Sequence, residues 1–256
     1  MKPATIALFS PVLVLLLACG DKEPVQLAAS ATASALQSSA PLTAAAVELK
    51  VQKAGTVNFI MEAPIEKIFG KVPESLSGNL FVDLTDLTKT TGNVAVDLST
   101  LDLVQRKRPD EKSEYGEERR EEEQNEHARQ WLEIDEKVAE EARNNNKRIE
   151  FRITSIKEAS KKDVSKETGD VNVTVVAEGD FLLHQRVSKK SVELEVTITV
   201  EAGKPKSVKL KTKKPFAVSL PEHDVGPRDN VGKVLTELAP KVGKDAMIEL
   251  DVQLAP

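Results

Sequence analysis

The sequence predicts a mainly β domain of the barrel or sandwich class, because short runs of alternating apolar residues recur along most of the chain. The clearest run places an apolar side chain at every second position from residue 192 to residue 200, the pattern of a half-buried strand. Similar patterns predict strands at residues 57–61, 80–84, 94–98, 149–153, 171–175, 208–210 and 248–254. About eight short strands joined by polar turns are typical of a β-barrel or a β-sandwich.

Two segments depart from this β pattern and are predicted to be helical. Residues 110–146 are densely charged, and their apolar residues share one helical face: Trp131, Leu132, Ile134, Val138 and Ala142. The sequence therefore predicts one longer charged helix here, with its charges in solvent rather than on a partner. A second, short helix is predicted over residues 231–238, ending before Pro240.

The N-terminus has the pattern of an export signal. Lys2 precedes an apolar run that ends at Cys19, and the residues Leu16-Leu17-Ala18-Cys19 resemble a bacterial lipobox. We therefore interpret residues 1–18 as a lipoprotein signal peptide and Cys19 as the lipidated first residue of the mature chain. The run is shorter than the about 20 residues of a membrane span, and Pro11 interrupts it.

The Ala/Ser/Thr-rich residues 19–46 are predicted to be a flexible tether, with an alanine-rich helix as the alternative. Residues 47–256 then form the folded domain. Because Cys19 is the single cysteine and would be acylated, the mature chain has no thiol for a disulfide, a zinc thiolate or a nucleophile.

Charge argues against nucleic acid as a partner. The chain has 36 basic and 41 acidic residues, and loss of Lys2 with the signal peptide leaves 35 basic residues and a net charge of −6. Phosphate backbones are bound by clustered basic side chains, which a mildly acidic protein does not predict.

No catalytic or metal-binding pattern is present in the sequence. The three histidines, His127, His184 and His223, lack the close spacing of a zinc signature, although a folded barrel could still bring them together. There is no phosphate-binding loop, nucleophile elbow or dinucleotide fingerprint. We therefore predict no enzyme activity and no metal site.

Several segments, in order, resemble the YceI-like family of polyisoprenoid-binding, lipocalin-like proteins. The similarity is carried by Ser77-Gly78-Asn79-Leu80, by residues 94–101, 125–132 and 148–156, and above all by Glu178-Gly179-Asp180-Phe181-Leu182-Leu183-His184. The last resembles the family's Gly-Asp/Asn-Leu-Thr-Ile-His segment. After His184 the chain departs from the family pattern, with Gln185-Arg186-Val187 where Gly-Val-Thr is usual.

This resemblance implies an eight-stranded antiparallel barrel with a helix beside or over one end, and a long isoprenoid chain such as a quinone tail as ligand. An eight-stranded barrel is wide enough to hold one small ligand or to be filled by its own side chains. Candidate ligand contacts are Phe59, Phe81, Trp131, Phe151, Phe181, Leu183, Val196 and Ile198. Plain core packing is the alternative for each, and Phe81 has the opposite strand parity to its apolar neighbours.

The leading hypothesis is a non-enzymatic lipoprotein that binds an isoprenoid or another long apolar lipid, with no cofactor besides that lipid. The alternative is an envelope interaction module with a filled barrel and a charged helical surface. Anchoring through Cys19 predicts the bacterial cell envelope, with the outer membrane favoured and the domain in the periplasm or at the cell surface. Paired barrels occur in the family, which leaves a homodimer open.

Overall fold

The computed structural model describes residues 31–33, 35–227 and 243–256, and strands dominate them. The strands are β1 (Ala31–Thr32), β2 (Val47–Val51), β3 (Thr56–Ala63), β4 (Glu66–Lys71), β5 (Leu76–Val82), β6 (Thr91–Asp97), β7 (Asp102–Lys107), β8 (Arg148–Ala159), β9 (Gly169–Leu183), β10 (Arg186–Glu201), β11 (Lys204–Thr212), β12 (Phe216–Ser219) and β13 (Asp245–Ala255). Helices α1 (Glu122–Trp131) and α2 (Glu140–Asn146) lie between β7 and β8. Within the described ranges, no helix is both long and apolar enough to cross a membrane.

Eight of these strands close into an antiparallel barrel, as the sequence analysis expected. Their order around the barrel is β10, β9, β8, β6, β5, β2, β13 and β11, and β11 returns to β10. Alternation puts Val192, Leu194, Val196, Ile198 and Val200 of β10 in the core. The side chains of Glu193 and Glu195, between them, point to the other face.

The sheet continues beyond the closed barrel at one end, which we call the upper end and where β9 and β10 are joined. There β13 pairs with β12 on one side and with β3 on the other, and β4 and β7 extend the sheet from β3. The turn between β9 and β10 consists of His184 and Gln185, both with positive φ (48° and 58°). Positive φ at both central residues is what a type I′ turn requires, and this turn joins two antiparallel strands through a two-residue loop. The lower end is where β10 and β11 are joined.

The single long helix expected over residues 110–146 is not confirmed, because this region forms two short helices. Residues 109–121, before α1, are not helical, and Arg119 pairs with Gln105 of β7. Glu133 follows α1 with a φ of 51°, a left-handed conformation that ends a helix. The buried Asn125 fixes α1 to β7, since its side chain bonds both the N–H and the C=O of Leu103. The short helix expected over residues 231–238 lies outside the described residues.

Residues 31–33 and 35–46, which we call the strap, contact the outside of the barrel. Strand β1 pairs with β10 at Val187 and Arg186, at the upper end. The chain then crosses toward the lower end, where the Thr43 hydroxyl donates to the buried carboxylate of Asp83. On the way, Arg152 donates to the Gln37 carbonyl, and Thr91 donates to the Ala40 carbonyl. The second half of the segment expected to be a tether therefore has defined polar contacts with the barrel.

A charged cluster lies beside the strap on the outer face of β8, β9 and β10. Asp180 is only 6% exposed and accepts from both Arg152 and Lys189. Burial alone would raise the pKa of the Asp180 carboxyl, but the bonds from Lys189 and Arg152 outweigh this effect and hold the pKa below its ordinary value. The same Arg152 reaches the strap, so the cluster links the strap to three barrel strands.

Removing the Thr43 hydroxyl should loosen the strap. We expect Thr43→Val to lower the free energy of unfolding by about 1.5–3 kcal/mol, because the buried carboxylate of Asp83 then loses one of its hydrogen-bond donors. Faster proteolysis within residues 31–46 should accompany the loss. Thr197→Val is the matched control, since the Thr197 hydroxyl bonds Asn172 at an exposed site away from the strap. Equal effects of the two substitutions would contradict the prediction.

The Asp180 cluster should make stability depend on pH. A carboxyl whose pKa is depressed by folding contributes stability above its unfolded pKa of about 3.9, and this contribution is lost as the pH falls through the folded pKa. We therefore expect Asp180→Asn to destabilise the protein by about 1–3 kcal/mol at neutral pH, and by less in acid, measured by urea unfolding. Asp170→Asn, which changes an exposed carboxylate that accepts from Thr199, is the control. A difference that did not shrink in acid would count against this role.

Candidate functional site

An apolar cavity lies at the upper end of the barrel, beneath α1. Its volume is about 90 Å³. Its walls come from α1, from seven strands and from the loops beside them. The lining residues are Phe59, Met61, Ile68, Leu98, Leu101, Leu103, Gln124, His127, Ala128, Trp131, Leu132, Ile149, Phe181, Leu183, Val218, Leu220, Val225, Ala246 and Ile248. We call this the upper cavity. Among its described lining residues, only Gln124 and His127 are polar.

One face of α1 forms the roof of the upper cavity. Gln124, His127, Ala128 and Trp131 follow one another at the three- and four-residue spacing that puts side chains on the same side of a helix. Trp131, one of the predicted ligand contacts, belongs to this face. Sequence analysis missed Gln124 and Ala128 as lining residues, although counting back from Trp131 by three and seven positions would have found Ala128 and Gln124.

A second, smaller cavity lies inside the closed part of the barrel, toward the lower end, and we call it the lower cavity. Its volume is about 40 Å³. Branched aliphatic side chains from five strands dominate the lining, which is Leu80, Val82, Leu87, Thr90, Ile153, Ile156, Val173, Val175, Leu194, Val196, Ile198, Val208 and Leu210. Both cavities are smaller than the roughly 300–1,000 Å³ of ordinary ligand pockets.

The predicted contact residues divide between these two cavities. Phe59, Trp131, Phe181 and Leu183 line the upper cavity, and Val196 and Ile198 line the lower one.

Two predicted contact residues line neither cavity. Phe151 is buried in the core, while Phe81 is half-buried on the opposite face of β5 from Leu80 and Val82. The role of each of the eight residues as a ligand contact stays a prediction. Cys19 lies outside the described residues.

Two of the three histidines meet at the upper end. His223 is fully buried; its Nδ1 donates to the carbonyls of Leu183 and Arg186 (3.2 and 3.0 Å), and its Nε2 accepts from the Ser188 hydroxyl at 3.0 Å. Burial lowers the pKa of His223, in agreement with a neutral ring. His184 Nδ1 donates to the His223 carbonyl at 3.2 Å.

The other nitrogen of His184 joins the hairpin turn to the end of α1. His184 Nε2 lies 3.1 Å from the Glu133 carboxylate. Beside this pair, the Gln185 side chain donates to the Asn146 side chain, and Asn146 donates to the Glu133 carbonyl. These contacts fix the turn against both helices. The third histidine, His127, is separate and lines the upper cavity. Across the described part of the chain, no group of three or more His, Cys, Asp or Glu residues could hold a metal ion.

Comparison with known proteins identifies the fold. The sequence matches no protein-family model and no curated protein. The structure resembles a polyisoprenoid-binding domain from Saccharophagus degradans, implicated in plant cell wall breakdown, at 11% identity and a TM-score of 0.51, with 82% of this chain and 99% of that one covered. It also resembles BcnA from Burkholderia cenocepacia, at 10% identity and a TM-score of 0.48, with 79% and 98% covered. This chain therefore has the barrel fold of a polyisoprenoid-binding domain, and its resemblance to the YceI-like family is confirmed at the level of the fold.

Proposed function

We propose that this protein is a non-enzymatic lipoprotein that binds an isoprenoid or another long apolar lipid in its barrel. The observation that carries the proposal is the upper cavity, whose described lining is apolar except for Gln124 and His127. Such a cavity excludes water readily, so an apolar chain that enters it displaces little hydrogen-bonded solvent. The shared fold supports the proposal, because the neighbour from Saccharophagus degradans is named as a polyisoprenoid-binding domain.

The energetics of this binding favour a chain over a compact polar ligand. Each methylene group that leaves water for an apolar site contributes about 0.8 kcal/mol. Gln124 and His127, both half-exposed on α1, are the lining groups that could bond a polar end of such a lipid. Long amphiphiles with one polar end are therefore the ligand class that this lining suits.

The strap supports a role at a membrane. Eleven residues, 20–30, separate the proposed lipid anchor at Cys19 from β1, so the two are at most about 40 Å apart. Strand β1 pairs with β10 beside the hairpin turn, at the same end as the upper cavity. An anchor at Cys19 would thus keep β1, at the same end as the upper cavity, within this distance of the bilayer. We propose the bacterial cell envelope as the location, with the outer membrane favoured.

A second candidate function is an envelope interaction module with a filled barrel. It is favoured by the small volumes of the two cavities, about 90 and about 40 Å³. Its surface would be the charged region before and along α1. That surface already carries internal ion pairs, because Arg120 bonds Asp102 and Glu122, while Arg129 bonds Glu122. Charges that are already paired within the chain are typical of a surface in contact with solvent rather than with a protein partner. We therefore favour lipid binding over the interaction module.

Filling the upper cavity should block lipid binding. We expect the full-length lipoprotein to carry a defined added mass that disappears on denaturation, measured by native mass spectrometry with analysis of organic extracts. Ala128→Phe places a ring in the cavity roof and should lower the occupancy by about tenfold. Ala139→Phe, at an exposed position between the helices, is the control and should bind as the wild type does. A wild-type protein that binds no lipid, even when quinones are supplied, would favour the interaction module.

Replacing Cys19 should release the protein from the membrane. Cys19→Ser removes the thiol that would be acylated, so we expect loss of palmitate labelling and a shift from the membrane fraction to the soluble fraction. Ser30→Ala changes the same segment without touching the anchor and should remain with the membrane. Palmitate labelling of the Cys19→Ser protein would overturn the assignment.

A further inference from the structure

The upper and lower cavities are separated by one layer of side chains. On β8, Ile149 lines the upper cavity and Ile153 lines the lower one. Side chains at every second residue of a strand share a face, so Phe151 projects into the interior between them. Phe151 is 7% exposed and belongs to the core, yet it lines neither cavity. It therefore lies in the layer that divides them.

The neighbours of Phe151 in this layer are small. On the next strand, Ala177 and Gly179 occupy the inward positions between Phe181 above and Val175 below. A Cβ atom at Gly179 would lie 2.8 Å from Cε2 of Phe151, so the ring occupies the space that a side chain would fill.

The other sides of the layer carry valines. Val94 pairs with Phe151 across the sheet, and Val192 pairs with Ala177.

The other aromatic ring at this height belongs to the wall of the upper cavity. Phe181 pairs with Phe151 between β9 and β8. Its ring, however, packs edge-on against Phe216 and His223, with ring centroids 6.1 and 5.6 Å apart. Phe181 is therefore held by contacts at the upper end, which leaves Phe151 as the aromatic ring of the dividing layer.

We propose that Phe151 sets the length of lipid chain that the barrel accepts. This inference rests on the proposed lipid-binding function and names a specificity-determining residue for it. With the ring in place, a chain that enters the upper cavity stops at Phe151. Without the ring, the two cavities and the space between Ala177 and Gly179 form one passage along the barrel axis. In a variant without the ring, affinity should therefore continue to rise with chain length beyond the length at which the affinity of the wild type stops rising.

The test compares chain-length dependence in full-length protein variants. The probes are geraniol, farnesol, geranylgeraniol and solanesol, and the readout is the dissociation constant of each. We expect wild-type affinity to stop rising at a shorter alcohol than in Phe151→Ala, which should bind geranylgeraniol about tenfold more tightly than the wild type. Phe59→Ala is the matched control, because it enlarges the upper cavity and leaves the dividing layer intact. The same limiting chain length in wild type and Phe151→Ala would overturn the proposal.

Two further measurements test the inference if Phe151→Ala is unstable or if the protein binds no lipid. If Phe151→Ala does not fold, Phe151→Leu retains an apolar side chain, and a longer limiting chain length is expected for it too. Xenon-pressurised crystals test the dividing layer without any lipid. One continuous xenon channel in the variant supports the proposal, whereas two separate sites overturn it. If no variant binds any alcohol, the proposed function fails. The xenon result then still shows whether the Phe151 ring separates the two cavities.

Discussion

The closure of the sheet through β11 is the constraint on which the rest of the structure depends. Strand β11 pairs with β10 along one edge and with β13 along the other, so the lower half of the sheet has no free edge. Closure also fixes which side chains face inward, because a one-residue slip would expose every apolar residue of a strand. The interior must then be filled by valine, leucine and isoleucine side chains, which leaves the lower cavity with about 40 Å³.

The upper half is closed differently, and this explains the larger cavity there. Above the closed barrel, the wall consists of β12, β3, β4 and β7, and it has an opening because β7 does not pair with β8. Helix α1 covers this opening, held by the bonds of Asn125 to Leu103. Because α1 closes the opening with side chains rather than with paired backbone, only the inner face of the helix fills the space beneath it.

Alternation in the sequence predicted the long inner strands well, because β8, β9, β10 and β13 each bury every second side chain over most of their length. It did not predict the short strands β2, β4, β7 and β12, each of which offers only a few alternating positions. The strap was missed for another reason: its contacts depend on single polar partners, such as Thr43 with Asp83. The break after α1 depends on the backbone conformation of Glu133, which its residue type does not reveal. Within the site, residues such as Phe59 and Phe181 could be predicted as inward-facing, but their division between two cavities required the register of the strands.

The polar side chains at the upper end hold the walls of the upper cavity in place. The side chains of His223, Asn125 and Asn146 bond backbone carbonyls at turns and at the edge of the sheet, where regular pairing leaves such groups without partners. Because these backbone carbonyls find their hydrogen-bond partners within the wall, the surface of the upper cavity stays apolar. The same bonds fix the hairpin turn and α1 around the apolar upper cavity, where we propose that a lipid chain binds.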